Sequence, residues 1–270
     1  MGDIVRRIRS ELCDGWGLVD EVIVMDDGSV DGTGREAAAA GAEVVRVSEV
    51  LPDLDPGSGK GNVLWKSMFA SRGELVCWVD ADIRAFDCRF VTGLLGPLLV
   101  DPDVVLVKGF YRRPADGSRH GGGRVTELMA RPLISKLFPH LSGVVQPLAG
   151  ATAGRRTVLE TLPFPQGWGV EFALLVDVVE RFGLERLAQV DLGRIEHAHR
   201  TLRDLGPQAL AILTAGLRRA GFEASLGPSC ELLRFDADHR PDVERVQVGE
   251  RPPMALIPAY RAQFTEEVPA

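Results

Sequence analysis

The feature that most limits what this chain can fold into is a rhythm. Short runs rich in valine, isoleucine and leucine recur at 21–25, 43–47, 75–79 and 104–107. Stretches with helical character separate the first three. One covers 31–40, with Asp31 as its expected N-cap. The other covers 61–72, where Leu64, Trp65, Met68 and Phe69 fall on one helical face. Strands alternating with helices in this way predict an α/β fold, a parallel sheet covered on both faces. The second half is more helical. Helices are expected over 124–137, with Pro132 as a kink or break, and over 172–182 and 205–217, with a strand over 186–192. Beyond Gly221 the pattern weakens, and Arg251-Pro-Pro-Met254 reads as an extended tail that packs on something.

At 270 residues the chain fits one large α/β domain. Its net charge of −7 argues against a nucleic-acid binder held by phosphate contacts. No apolar run approaches a membrane span and no signal-peptide pattern is present. Four cysteines form no CxxC pair, so free thiols in a reducing cytoplasm are expected.

The run 75–79 ends in Asp80-Ala-Asp82. Ligands of open α/β sheets bind beyond the carboxyl ends of strands. Two carboxylates converging there repel unless a cation joins them, and oxygen-only ligands favour Mg²⁺ or Mn²⁺, which also takes phosphate oxygens. The competing reading is a polar turn that caps the next helix. Asp26 and Asp27 end a second strand. Between the two acidic ends lies Pro56-Gly-Ser-Gly-Lys-Gly61, whose glycines are expected to leave N–H groups free for an anion, with Lys60 adding charge. It is not a Walker A loop, because Leu54 and Gly61 stand where that pattern needs Gly and Ser or Thr.

A second anion site is expected at His120-Gly-Gly-Gly-Arg-Val-Thr-Glu127. Glycines allow close backbone approach. Arg124 and Thr126 in a first helical turn suit a small acceptor carrying carboxylate and phosphate. The bland alternative is a surface loop with a solvated arginine. Gly167-Trp-Gly-Val-Glu171 sets an aromatic residue and an acid at a helix start. His197 and His199 alternate after a strand, where one of them could complete a metal shell.

These motifs, with Lys108-Gly-Phe-Tyr-Arg-Arg-Pro114, Gln146-Pro-Leu148 and Arg251-Pro-Pro-Met254, make the chain resemble the glucosyl-3-phosphoglycerate synthase family of retaining glycosyltransferases. The Gly-Gly-Gly-Arg-Val-Thr-Glu-Leu block ending at Leu128 is the most specific match. The resemblance implies a GT-A (Rossmann-like), mostly parallel sheet flanked by helices, with a helical acceptor-binding second half. It implies halves at 1–115 (nucleotide sugar) and 116–222 (acceptor), and a tail at 223–270. It also implies transfer of glucose from UDP-glucose to 3-phospho-D-glycerate by a cytoplasmic homodimer with Mg²⁺, Mn²⁺ being possible. By resemblance, Glu171, Asp80 and Lys60 would be catalytic. The nucleotide sugar would meet Asp27, Lys60, Asp80, Ala81, Trp168, Glu171 and Arg200. Gly123, Arg124, Thr126 and His199 would hold the acceptor, and Asp82 and His197 the metal. A mannosyl-3-phosphoglycerate synthase using GDP-mannose, or a non-catalytic binder of the same ligands, are the alternatives.

The family's opening strand, ending in a Pro-x-x-Asn-Glu segment that holds the base, has no counterpart here. The expectation is that the natural chain begins upstream of Met1, since the later motifs are intact. Gly150-Ala-Thr152 lacks an acid expected after the glycine, Trp168 replaces a usual tyrosine, and the loop between Pro114 and Gly121 is short.

Overall fold

The computed structural model describes residues 1–83, 86–112, 123–194, 201–223, 226 and 230–265. In chain order the elements that frame the site begin with helix α1 (Gly2–Arg7), which runs on as a π-helical turn (Ile8–Cys13), then strand β1 (Ile23–Asp26), α2 (Thr33–Ala39) and β2 (Glu43–Arg46). After these come α3 (Lys60–Ala70), β3 (Leu75–Trp78), α4 (Arg89–Val100) and β4 (Leu106–Arg112). The second half holds α5 (Arg131–Leu137), β5 (Thr152–Arg155), α6 (Arg156–Leu159), β6 (Phe164–Pro165), α7 (Val170–Phe182), β7 (Leu187–Arg194) and α8 (Leu202–Leu217). The tail adds β8 (Cys230–Phe235), β9 (Pro241–Val246), β10 (Glu250–Arg251) and α9 (Pro258–Thr265).

The main sheet has the order β3-β5-β4-β7. Strands β3, β4 and β7 share one direction, and β5 runs against its two neighbours. The expected parallel sheet is therefore interrupted by one reversed strand, which no apolar run had marked: Thr152-Ala-Gly-Arg155 is short and carries a glycine and an arginine. Strands β1 and β2 form a separate parallel pair, and among the described residues β1 and β3 do not pair with each other.

Both faces of the sheet are covered, as the rhythm predicts. Along β3, Val76 and Trp78 join one core cluster with Trp65 and Met68 of α3 and Leu174 and Val178 of α7. Leu75 and Cys77 pack on the other cluster, with Leu94, Leu95 and Leu98 of α4 and Ile4, Ile8 and Leu12. This is the period-two alternation of a pleated strand between two helical layers. A third cluster joins Leu133 and Ile134 of α5, Phe172 and Leu175 of α7, and Ile212 of α8.

Several elements depart from expectation. Helix α2 starts at Thr33 after Gly32 in the left-handed region. Asp31 accepts from Thr33 N at 3.0 Å but sits one residue before the cap position. Pro132 does not break its helix. It falls in the first turn of α5, directly after a π-helical stretch (Thr126–Ala130), and the backbone stays helical through Ala130 and Arg131 in spite of the missing N–H. Helix α4 is masked in the sequence by Gly93, Gly96 and Pro97, although Phe90, Val91, Leu94, Leu95 and Leu98 give it a buried stripe. The weak pattern after Gly221 contains an antiparallel hairpin, β8–β9, whose inner face packs Leu232 and Val246 against Ala211 of α8. No helix among the described residues is long and apolar enough to cross a membrane.

Candidate active site

The carboxyl end of β3 delivers Asp80, and the start of α3 delivers Lys60. Lys60 Nζ lies 2.7 Å from Asp80 Oδ1 and 2.6 Å from Oε1 of Glu171, which sits in the first turn of α7. The three side chains are largely enclosed, at 21%, 25% and 9% exposure. Burial works against the charge on Lys60, but Glu171 and Asp80 outweigh it and hold the ammonium far above the ordinary lysine range. Three residues predicted from separate motifs thus meet at one nitrogen.

Gly150 completes this corner. A Cβ there would fall 2.6 Å from Lys60 Nζ and from Asp80 Oδ1, so only glycine leaves room for the ion pairs. Beneath it lies Lys108 of β4, 2% exposed, which donates to Ala149 O at 2.5 Å and Thr152 Oγ1 at 3.1 Å. Burial pushes the Lys108 ammonium down to about 8, against the opposing pull of Glu171. Lys108, Gly150, Thr152 and Glu171 line one small internal gap. Lys108 and Gly150 had no assigned role at the sequence level. The readable signal was a lysine inside the apolar run Val104–Tyr111.

The loop before α3 corrects one expectation. Its glycines are needed for backbone shape: Gly57 and Gly59 have φ of 61° and 84°. Its N–H groups, however, are mostly committed to the protein. Gly57 N donates to Asp55 Oδ1, Ser58 N to Gln166 Oε1, Gly61 N to Gly167 O and Asn62 N to Gln166 O. What the loop offers an anion is the Lys60 side chain.

Asp26 is a local structural acid. Its Oδ1 accepts from Ser29 N at 2.8 Å, and the hydrogen bonds from Ser29 hold its carboxyl below the ordinary aspartate range. Asp27, Ala81 and Asp82 are exposed on the turns that follow β1 and β3. Trp168 is half-buried and packs against Ala211, Val246 and Val248. Gly123, Arg124 and Thr126 begin the helical stretch ahead of α5. Thr126 is buried and Arg124 exposed, while Val125 and Met129 pack onto the cluster holding Phe172, the neighbour of Glu171. The helical stretch that begins at Arg124 is therefore mounted on the helix that carries Glu171. His197, His199 and Arg200 lie outside the described residues.

A hard oxygen donor at Asp82, exposed on a turn after a strand, suits Mg²⁺ or Mn²⁺. Among the described residues no three His, Cys, Asp or Glu side chains cluster to hold a metal by themselves.

Comparison with known proteins identifies the family. The family model for glycosyl transferase family 2 matches residues 2–162. Glucosyl-3-phosphoglycerate synthase of Mycolicibacterium smegmatis is 44% identical over 95% of this chain and 85% of its own length. The crystal structure of the Mycobacterium tuberculosis synthase with Mn²⁺, UDP-glucose and phosphoglyceric acid superposes with a TM-score of 0.84, at 41% identity, over 94% of this chain and 85% of that one. The same enzyme with Mn²⁺, UDP and glucosyl-3-phosphoglycerate gives a TM-score of 0.83 at 41% identity, over 94% and 86%. With a GT-A fold, a carboxylate–lysine–carboxylate cluster at the end of β3, and likeness of this extent, the chain belongs to the glucosyl-3-phosphoglycerate synthase family.

Proposed function

We propose that this chain transfers glucose from UDP-glucose to 3-phospho-D-glycerate with retention at the anomeric carbon, giving glucosyl-3-phosphoglycerate. The observation that carries the reading is the meeting of Lys60, Asp80 and Glu171 at the carboxyl end of β3, in a member of this family.

Lys60 supplies the positive charge for the donor diphosphate, and Arg200 adds to it. Asp80, Ala81, Asp27 and Trp168 contact the nucleotide sugar, and Glu171 faces the glucosyl unit. Asp82 and His197 hold Mg²⁺ or Mn²⁺, which when bound neutralises developing charge on the diphosphate. Gly123, Arg124, Thr126 and His199 hold the carboxylate and phosphate of the acceptor. Its hydroxyl then lies close to the anomeric carbon, and that positioning carries much of the rate. The acceptor oxygen bonds to the anomeric carbon as the bond to the diphosphate oxygen breaks, and the hydroxyl proton passes to the departing diphosphate. Glu171 is not the nucleophile in this route. Its Oε1 is engaged by Lys60 at 2.6 Å, which suits a carboxylate that orients charge. Residues 1–115 serve the donor, 116–222 the acceptor, and 223–270 form a supporting tail. The protein works as a cytoplasmic homodimer.

A sugar-nucleotide panel with 3-phosphoglycerate and Mg²⁺, paired with calorimetry, tests this reading. Turnover of UDP-glucose above GDP-mannose and GDP-glucose is the expected result. Binding without turnover, or preference for GDP-mannose, overturns it.

A further inference from the structure

The tail strand β10 reaches back to the loop that carries Lys60. Arg251 is 7% exposed, a depth at which an arginine needs a full set of partners. Its Nε donates to Asn62 Oδ1 at 2.8 Å and its Nη2 to Asp55 O at 2.5 Å, while its guanidinium lies 5.2 Å from the centre of the Trp65 ring. Asn62 in turn donates from Nδ2 to Pro56 O at 3.1 Å. One arginine therefore grips both ends of the loop 55–62. The fit leaves no slack: a Cβ on Gly57 would strike Arg251 itself and come within 2.5 Å of both Asn62 Oδ1 and Gln166 Oε1.

The same knot includes the turn before Glu171. Arg251 pairs with Phe164 in the β6–β10 ladder. Gln166 accepts from Ser58 N through its side chain at 3.2 Å and from Asn62 N through its carbonyl at 2.9 Å, and its own N–H donates to Gly249 O at 2.9 Å. Gly61 N donates to Gly167 O at 3.2 Å. Three segments far apart in sequence, 55–62, 164–167 and 249–252, are tied at one place. Two of them lead within a few residues to Lys60 and Glu171.

We propose that Arg251 is a positioning residue for the donor site, fixing the loop so that Lys60 is delivered to the point where Asp80 and Glu171 meet it. It touches neither the reacting atoms nor the three charged side chains. This inference rests on the proposed function for its kinetic consequence, but not for its structural one. A planar fork can serve Asn62 and Asp55 together, whereas an ammonium on a flexible stem cannot reproduce both bonds in fixed geometry. Pre-organisation is then lost even where charge is kept, and the loss falls on donor binding, since Lys60 is the donor-facing group.

The test compares Arg251→Lys and Arg251→Met with Met254→Ala, a fully buried tail residue that packs in the cluster with Trp65 and Phe164 but makes none of the hydrogen bonds of the knot. The readouts are steady-state kinetics with UDP-glucose and 3-phosphoglycerate, melting temperature, and amide exchange at Gly61 and Asn62. Arg251→Lys is expected to raise the donor KM about tenfold, to leave the acceptor KM within about twofold, and to speed exchange at both amides. Met254→Ala is expected to lower the melting temperature without moving the donor KM. An unchanged donor KM in folded Arg251→Lys overturns the inference, and so does an equal rise in Met254→Ala. If Arg251→Met does not fold, Arg251→Lys decides. If the wild-type chain does not turn over these substrates, the proposed function fails by itself. The exchange then decides for Arg251, unchanged protection in Arg251→Lys overturning its role.

Discussion

Gly150→Ala adds one methyl group at the corner where Lys60, Asp80 and Glu171 converge. The backbone accepts it, because Gly150 is not among the residues with positive φ. The space does not. The new Cβ would come 2.6 Å from Lys60 Nζ and from Asp80 Oδ1, against about 3.5 Å for ordinary non-bonded contact. The backbone cannot retreat, since Ala149 and Ala151 are both 3% exposed and Lys108 holds Ala149 O from behind. The clash is therefore relieved by moving the ends of two side chains, by about 1 Å. Displacing flexible side-chain ends costs stability only at the low end of the overpacking range, about 1 kcal/mol. That corresponds to a few degrees of melting temperature. A misplacement of about 1 Å in a catalytic site can cost ~100-fold in rate. Gly150→Ala should thus fold, melt slightly lower, and lose about two orders of magnitude in kcat/KM for UDP-glucose. The assay is steady-state kinetics beside a thermal melt. A folded variant within about threefold of wild-type kcat/KM would refute the claim that the Lys60–Asp80 contact is set by the absence of a side chain at 150.

Asp82→Ala should abolish activity that depends on added Mg²⁺ or Mn²⁺ while leaving the melting curve of the metal-free protein within about 0.5 kcal/mol of wild type, because Asp82 is exposed; retained metal-dependent turnover sinks that assignment. Arg219 binds Asp177 at 2.7 and 2.9 Å and Glu250 at 2.7 Å, and burial raises the Asp177 carboxyl above the ordinary aspartate range. Arg219→Met leaves Asp177 buried without its cation and should cost about 3–5 kcal/mol at neutral pH by urea unfolding. A raised folded-state value means the native form binds protons that the unfolded form releases. The loss should therefore shrink as pH falls toward the ordinary carboxylate range, and a pH-independent loss would contradict this. Lys108 has the opposite sign. Its ammonium titrates near 8 when folded against 10.5 for the free side chain, so the unfolded state binds the extra proton between those values. The stability of wild type relative to Lys108→Met should rise by up to about 3 kcal/mol from pH 8 to pH 10.5; a flat difference would mean that the folded protein holds the Lys108 proton as tightly as the unfolded chain does.

Much of this was legible in the sequence, for physical reasons. The run 75–79 announces a strand because β3 is covered on both faces and must be apolar on both. Asp80 and Lys60 were readable because charge at the end of an apolar strand, or in a glycine loop before a helix, has few structural explanations. Other features depend on contacts made only in three dimensions. Gly150 looks like any turn glycine until the Lys60 and Asp80 side chains arrive beside it. The loop 55–62 looked like an anion cradle, since nothing local reveals that Gln166 and Gly167 take its N–H groups. Arg251 read as part of a tail motif, and its partners Asn62 and Asp55 are nearly two hundred residues away. Helix α4 was hidden by Gly93, Gly96 and Pro97, whose low propensities are overridden by burial of Leu94, Leu95 and Leu98.

The central claim is that the Lys60–Asp80–Glu171 corner moves glucose to a phosphorylated glycerate with retention. The most direct measurement is a proton NMR time course of the chain with UDP-glucose, 3-phosphoglycerate and Mg²⁺, reading the first-formed anomeric signal. Appearance of α-linked glucosyl-3-phosphoglycerate in step with UDP, in wild type but not in Lys60→Met, is the predicted result. A β-linked product, or hydrolysis to free glucose without transfer, would contradict it.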